Sequence, residues 1–467
     1  MLAGRSSHPI LWLDNDRVIL YSNRNGYSFY SIKSGKSKIF NAKETGSMKI
    51  VGARRDQPGL LNVMYNPHDR HTRSGPAIIQ PDRALKRIHG IIEERSNVRE
   101  WIDMPPGEQH QVIPDKQGRI RGAVIYNKSD NRMEYHYRKN EDAPWVRLHL
   151  DALLDSFTGY SNDPEIVHIA HRAADENAHS IYRFNVSQQT FGEKVFEVPG
   201  FSLSEASLAR DYASGEVQGI YYHNDGPAMH WLDPQMKEVQ QRIDAKLPGR
   251  INRLIDRDLN NTRFIVAALV DRLPTRYYVY FEDEDRLAAL PDSYPQLKGV
   301  ALRPMQVIHF QARDGLRLPG YLTLPAKNAT GKKPPLVVLA HGGPWVRDIW
   351  GYNPEVQFLA SRGYAVFQPN YRGSSGYTYD ISTNDEFNFR AMHEDVTDGV
   401  KLLKRSNLID PNRVAIMGAS FGGFLSIAGA AFEPDMYRCA ITVVGVFDWK
   451  HVIGQRSSNR YDRFNYD

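Results

Sequence analysis

Apolar positions in the first three-fifths of the chain come in short runs, each followed by a polar turn and a second run in which aromatics alternate with polar residues. Alternation with a period of two marks a half-buried strand, and two such runs around a turn read as a hairpin. The pairs fall at residues 18–21 with 27–32, 123–126 with 133–137, 166–170 with 181–184, 217–222 with 229–232 and 264–270 with 277–281, and a weaker run lies at 61–65. The later pairs recur about every 45–50 residues, which is blade spacing for a β-propeller. A pair of β-sandwiches is the alternative. About six hairpins are countable, and a propeller must close its ring to hide sheet edges. The ring is therefore small, or it begins before Met1.

The period changes near residue 300. Runs at 305–310 and 316–324 flank Asp314-Gly315, a favourable turn dipeptide, and predict one more hairpin. After it strands and helices alternate: strands at 336–340, 364–367, 414–417 and 440–444, helices at 356–361, 387–403 and 424–431. This is the pattern of a doubly wound α/β sheet. In the long helix, Met392, Val396, Val400 and Leu403 share one face and are assigned to the core.

Within this part, Gly418-Ala419-Ser420-Phe421-Gly422-Gly423 joins a buried strand to a small-residue helix. Glycines on both sides of one serine suit a strained turn in which neighbouring backbone passes too close for a Cβ. Upstream, the strand at 336–340 runs into His341-Gly342-Gly343-Pro344, a loop whose amides suit a developing oxyanion. Ser420 is thus the candidate nucleophile, with the N–H groups of Phe421 and Gly343 as oxyanion donors. The fold class expected is multidomain β plus α/β: an N-terminal β-propeller over residues 1–300, incomplete at its start if blades are missing, then a partial α/β-hydrolase domain over 301–467.

Bulk properties narrow the function classes. A length of 467 residues suggests two or three domains, and 41% hydrophobic with 24% charged residues is ordinary for a globular protein. The net charge of +5 (59 basic against 54 acidic residues) includes no dense basic run, so nucleic acid and membrane surfaces are not expected partners. Cys439 is the only cysteine, which removes intramolecular disulfides and cysteine-based metal sites. No apolar run reaches membrane-spanning length and the first residues do not form a signal peptide. A cytoplasmic location follows for the sequence as it stands, and a periplasmic or secreted one if an N-terminal signal precedes it.

Several near-motifs fail. Gly35-Lys36-Ser37 has Tyr30 where a phosphate loop needs glycine, and His393-Glu394 meets Thr397 where a zinc helix needs histidine. His68, His71, His168, His171 and His179 lack ligand spacing, and Glu93-Glu94 reads as a charged surface pair. No metal or cofactor is expected.

Residues 310–450 closely resemble the prolyl oligopeptidase family of serine peptidases, in particular its acylaminoacyl-peptidase-like branch. The resemblance rests on Arg313-Asp314-Gly315, Pro319-Gly320-Tyr321-Leu322, His341-Gly342-Gly343-Pro344, Asn370-Tyr371-Arg372-Gly373-Ser374-Ser375-Gly376-Tyr377, Asp410-Pro411-Asn412-Arg413 and the turn at Ser420. It implies hydrolysis of short peptides behind a propeller that limits access. It also implies that Tyr371 and Arg372 lie on a loop near the substrate pocket, where a structural role is equally compatible. The surround of the dipeptidyl-peptidase glutamate pair is absent at Glu93-Glu94.

The triad order of this fold is serine, aspartate, histidine. His451 is the only histidine after Ser420 and follows Asp448 by three residues, a pair too early in the domain to fit the family. The catalytic aspartate and histidine are therefore expected beyond residue 467. Losing the base of such a triad costs on the order of 10⁶ in turnover, so this chain alone is expected to be nearly inert, with the strand at 440–444 an uncovered apolar edge. Two other functions share these features: a carboxylesterase, and a binding protein in which a dead hydrolase domain supports the propeller.

Overall fold

The computed structural model describes residues 11–448, apart from 23–25, 41–46, 67–74, 80–86, 89–90, 93–97, 130–131, 152–154, 175, 212–215, 259, 328–330 and 379–387. His68, His71, Glu93, Glu94 and His451 lie outside the described residues.

Each hairpin expected from the alternation lies within one antiparallel sheet. Among the described residues six such sheets follow one another, five of four strands and one of three. The first strands of successive sheets face one another around a ring, as blades of a propeller do. Tyr160 on the fourth sheet donates to the Ile113 carbonyl of the third at 2.5 Å. Arg257 on the sixth donates to the Arg210 carbonyl of the fifth. Closure joins the ends of this segment: the Trp12 amide donates to Asp256 Oδ2 at 2.8 Å and Arg263 to the Asn15 carbonyl at 3.0 Å. Trp12 and Val18 pack there against Ile265, Val279 and Phe281. Among the described residues the sheets thus form a ring of blades and not a pair of sandwiches.

The fifth sheet has three strands, and the chain continues into a helix, Pro234–Lys246, that the alternation does not predict. Its signals are nevertheless local. Asp233 caps it by accepting from the Met236 amide, Pro234 occupies the first turn, and Met236, Val239 and Ile243 are buried on one face. The polar residues between them mask that short stripe in a segment otherwise read as strand and turn.

The second part holds one six-stranded sheet ordered Met305–Gln311, Arg317–Thr323, Ala365–Pro369, Leu336–Ala340, Val414–Ala419, Cys439–Val443. The first two strands are antiparallel and the last four run parallel. Parallel strands need covered faces. Met392, Val396, Val400 and Leu403 of helix Phe389–Arg405 join Leu336, Val338, Phe367 and Ile416 in one buried core. At the edge, Ile441 and Val443 of the last strand are about half exposed, in line with the expected apolar edge.

The two parts meet beside the carboxyl ends of these strands. Phe201 bridges to Tyr377, the Ser202 amide donates to the Gly376 carbonyl at 3.2 Å, and Ser375 Oγ donates to Glu205 at 2.7 Å. Arg347 donates to the Asn224 carbonyl at 2.7 Å. The loop 371–377 is therefore held from the propeller side.

Candidate active site

Strand Val414–Ala419 ends at Ser420, which is exposed, and helix Phe421–Phe432 begins at the next residue. Ser420 has φ 56° and ψ −119°, a backbone conformation that side chains other than glycine rarely adopt. The turn is held by the Ser420 amide donating to the Val443 carbonyl at 3.0 Å and the Ser420 carbonyl accepting from Phe424 at 3.1 Å. A Cβ on Gly422 would lie 2.1 Å from the Ala340 carbonyl oxygen, so glycine is obligatory where the helix crosses the neighbouring strand.

The His341-Gly342-Gly343-Pro344 loop leaves the adjacent strand and lies against the serine. A Cβ built on Gly342 would fall 3.4 Å from Ser420 Cβ and 3.1 Å from the Ala419 carbonyl oxygen. Gly343 is exposed, with φ +113°. Phe421 is the first helical residue, and amides of a first turn point away from the helix body. The structure thus gathers Ser420, Phe421 and the Gly342-Gly343 backbone at one carboxyl-end corner of the sheet, where α/β folds place their sites.

Tyr371 is fully buried behind this loop. Its hydroxyl donates to the His341 carbonyl at 2.9 Å, and its ring stacks on the imidazole with centroids 4.2 Å apart. Burial raises the phenol well above its ordinary pKa, so it remains a donor. His341 Nε2 lies 3.0 Å from Ser374 Oγ, which donates to the Tyr371 carbonyl at 2.6 Å. Arg372 turns the other way. Its Nε and Nη2 reach the two Asp395 oxygens at 2.8 Å each, and Nη2 also reaches Asp314 at 2.8 Å. These ion pairs keep the guanidinium charged, while burial raises the Asp395 carboxyl against the pull of Arg372. Sequence reasoning missed Asp395. Its signal was an acid beside Val396 on the core-facing side of an amphipathic helix.

Among the described residues, no base is hydrogen-bonded to Ser420 Oγ. Asp448 is exposed. No helix among these residues is long and apolar enough to cross a membrane.

Residues 350–466 match the profile of the prolyl oligopeptidase family. Over 459 residues the chain is 31% identical to dipeptidyl aminopeptidase BIII of Pseudoxanthomonas mexicana, covering 95% of this chain and 64% of that protein. Residues 350–466 thus carry a prolyl oligopeptidase family domain. Another relative, the acylamino-acid-releasing enzyme of Sus scrofa, is 33% identical over 222 residues, 45% of this chain and 30% of that one. The chain spans less than two thirds of the length of these relatives. The fold recurs in two solved structures. A puromycin hydrolase superposes with a TM-score of 0.63 at 17% identity, covering 97% of this chain and 80% of that chain. An acylaminoacyl peptidase of Pyrococcus horikoshii gives 0.56 at 16% identity, covering 92% and 68%. The propeller-plus-hydrolase architecture expected from the sequence is thereby shown, together with a prolyl oligopeptidase family domain over residues 350–466.

Proposed function

We propose that the full-length protein is a serine peptidase of short peptides acting through an acyl-enzyme on Ser420. The carrying observation is the strained exposed serine facing a glycine loop across adjacent strands. Ser420 Oγ attacks the carbonyl carbon of the scissile amide, and its proton passes to a base and then to the departing amine. The Phe421 and Gly343 amides stabilise the oxygen as it gains charge, and water then releases the acyl group from Ser420. The aspartate and histidine of this fold follow the serine in chain order. Tyr371 is proposed to act by positioning the His341–Gly343 loop, and Arg372 by holding loop 371–377 on helix Phe389–Arg405. The propeller, bonded to that loop through Ser202 and Glu205, favours size-limited peptides over esters.

The test uses full-length protein with a peptide anilide and a p-nitrophenyl ester. A peptidase cleaves both, and Ser420→Ala abolishes both while a fluorophosphonate ceases to label the protein. Ester turnover alone would move the assignment to a carboxylesterase. Absence of labelling in the unmutated protein would favour a binding protein with a dead hydrolase domain.

A further inference from the structure

A cavity of about 300 Å³ lies inside the propeller, bounded by the third to sixth sheets and far in sequence from the serine. Its wall carries four cations, Lys116, Arg210, Arg253 and Arg257, against two acids, Asp115 and Asp256. Both acids are engaged by other arginines: Asp115 pairs with Arg119 at 2.8 Å and lies 3.6 Å from Arg121, and Asp256 pairs with Arg55. The hydrogen bonds of Arg210 and Arg257 include neutral acceptors, His168 Nδ1 at 3.2 Å and Gln218 Oε1 at 2.5 Å. Positive potential therefore collects in the cavity, where low-dielectric walls strengthen it.

Arg253 is the group that points to a ligand. Its guanidinium carbon lies 3.8 Å from the centroid of the Tyr221 ring, which fixes the plane of the fork. Its Nε is buried without a hydrogen-bond acceptor among the described residues. A donor in that state is unfavourable unless something else accepts from it. Burial also pushes Arg210 down to about 9, the direction expected of a cation that an entering anion would stabilise. The remaining wall is not suited to a bare ion, because Leu208, Trp231, Met236 and Phe264 contribute apolar surface beside the arginines. Apolar walls with a few fixed polar groups are the usual lining of a small-molecule site, and the volume is at the lower end for one.

We propose that this cavity binds a small organic carboxylate with an apolar body, about the size of a dipeptide. Arg253 donates to the carboxylate, Arg210, Arg257 and Lys116 supply the surrounding positive potential, and Leu208, Trp231 and Met236 receive the apolar part. None of these residues takes part in the reaction proposed at Ser420, so binding here is tested separately from the peptidase reading.

Calorimetric titration of this chain with N-acetyl-Leu-Leu free acid, its carboxamide and inorganic phosphate tests the proposal. Saturable binding of the acid is expected, with the carboxamide at least about tenfold weaker because charge-assisted hydrogen bonds are roughly twice as strong as neutral ones, and phosphate at least about tenfold weaker because it has no apolar body to bury. Arg253→Gln is expected to weaken the acid about tenfold while leaving the carboxamide unchanged. Equal binding of acid and carboxamide overturns the charge requirement, and phosphate binding as tightly as the acid overturns the apolar one. No heat with any of the three overturns the site. The comparison of acid with carboxamide on unmutated protein decides the matter even if Arg253→Gln fails to fold.

Discussion

Tyr371 and His341 form one unit: the tyrosine hydroxyl donates to the histidine carbonyl at 2.9 Å while the two rings stack 4.2 Å apart. That carbonyl belongs to the residue that opens the loop facing Ser420. The loop is thus supported from beneath by a residue that does not reach the surface.

Tyr371→Phe keeps the stacking surface and removes the hydrogen bond. A buried carbonyl losing its donor costs about 1–3 kcal/mol, felt at the loop. In full-length protein, fluorophosphonate labelling of Ser420 is expected to slow by about tenfold with a small change in melting temperature. An unchanged labelling rate would remove Tyr371 from the positioning role.

Arg372→Met leaves Asp395, which is 1% exposed in its side chain, without its bidentate partner. Breaking one side of a buried pair costs about 3–5 kcal/mol. Urea denaturation should show a loss of that order, and Asp395→Leu in the same protein should restore most of it. If Arg372→Met instead keeps full stability and only raises KM in the full-length enzyme, Arg372 belongs to the substrate pocket.

Gly422→Ala places a methyl 2.1 Å from the Ala340 carbonyl oxygen, with backbone on both sides. Neither the helix nor the strand Leu336–Ala340 can yield without disturbing the sheet, so a loss of about 3 kcal/mol or more is expected. Thermal melting checks it, and a soluble variant with the original midpoint would contradict the crossing described.

Acid should loosen the propeller. Burial, reinforced by Arg210 and Arg183, lowers His168 to about 3, and burial with Arg347 and Arg253 lowers His223 to about 4. The unfolded chain takes up a proton on each near the ordinary value of about 6.5. Their contribution is complete above that value and declines as pH falls toward the folded values, by about 1.4 kcal/mol per pH unit for each histidine. Stability measured from pH 7 to 4.5 should fall, and His168→Gln should flatten the slope by one proton. A slope that the substitution leaves unaltered would count against a neutral buried His168.

What the amino-acid order determined by itself was everything set by neighbours along the chain. Alternation placed the hairpins, the shift from period two to helical spacing near residue 300 marked the second architecture, and glycines around Ser420 announced the strand-to-helix turn. Those are short-range effects of backbone sterics and side-chain burial, so they are written locally. The closure of the ring through Trp12 and Asp256, the burial of Tyr371 beneath the loop, the commitment of Arg372 to Asp395, and the gathering of four cations around one cavity were decided only by tertiary structure. Each joins residues distant in sequence, and the direction of a side chain in a loop depends on what packs against it. Tyr371 and Arg372 are adjacent in sequence yet point to different partners, a divergence that packing alone imposes.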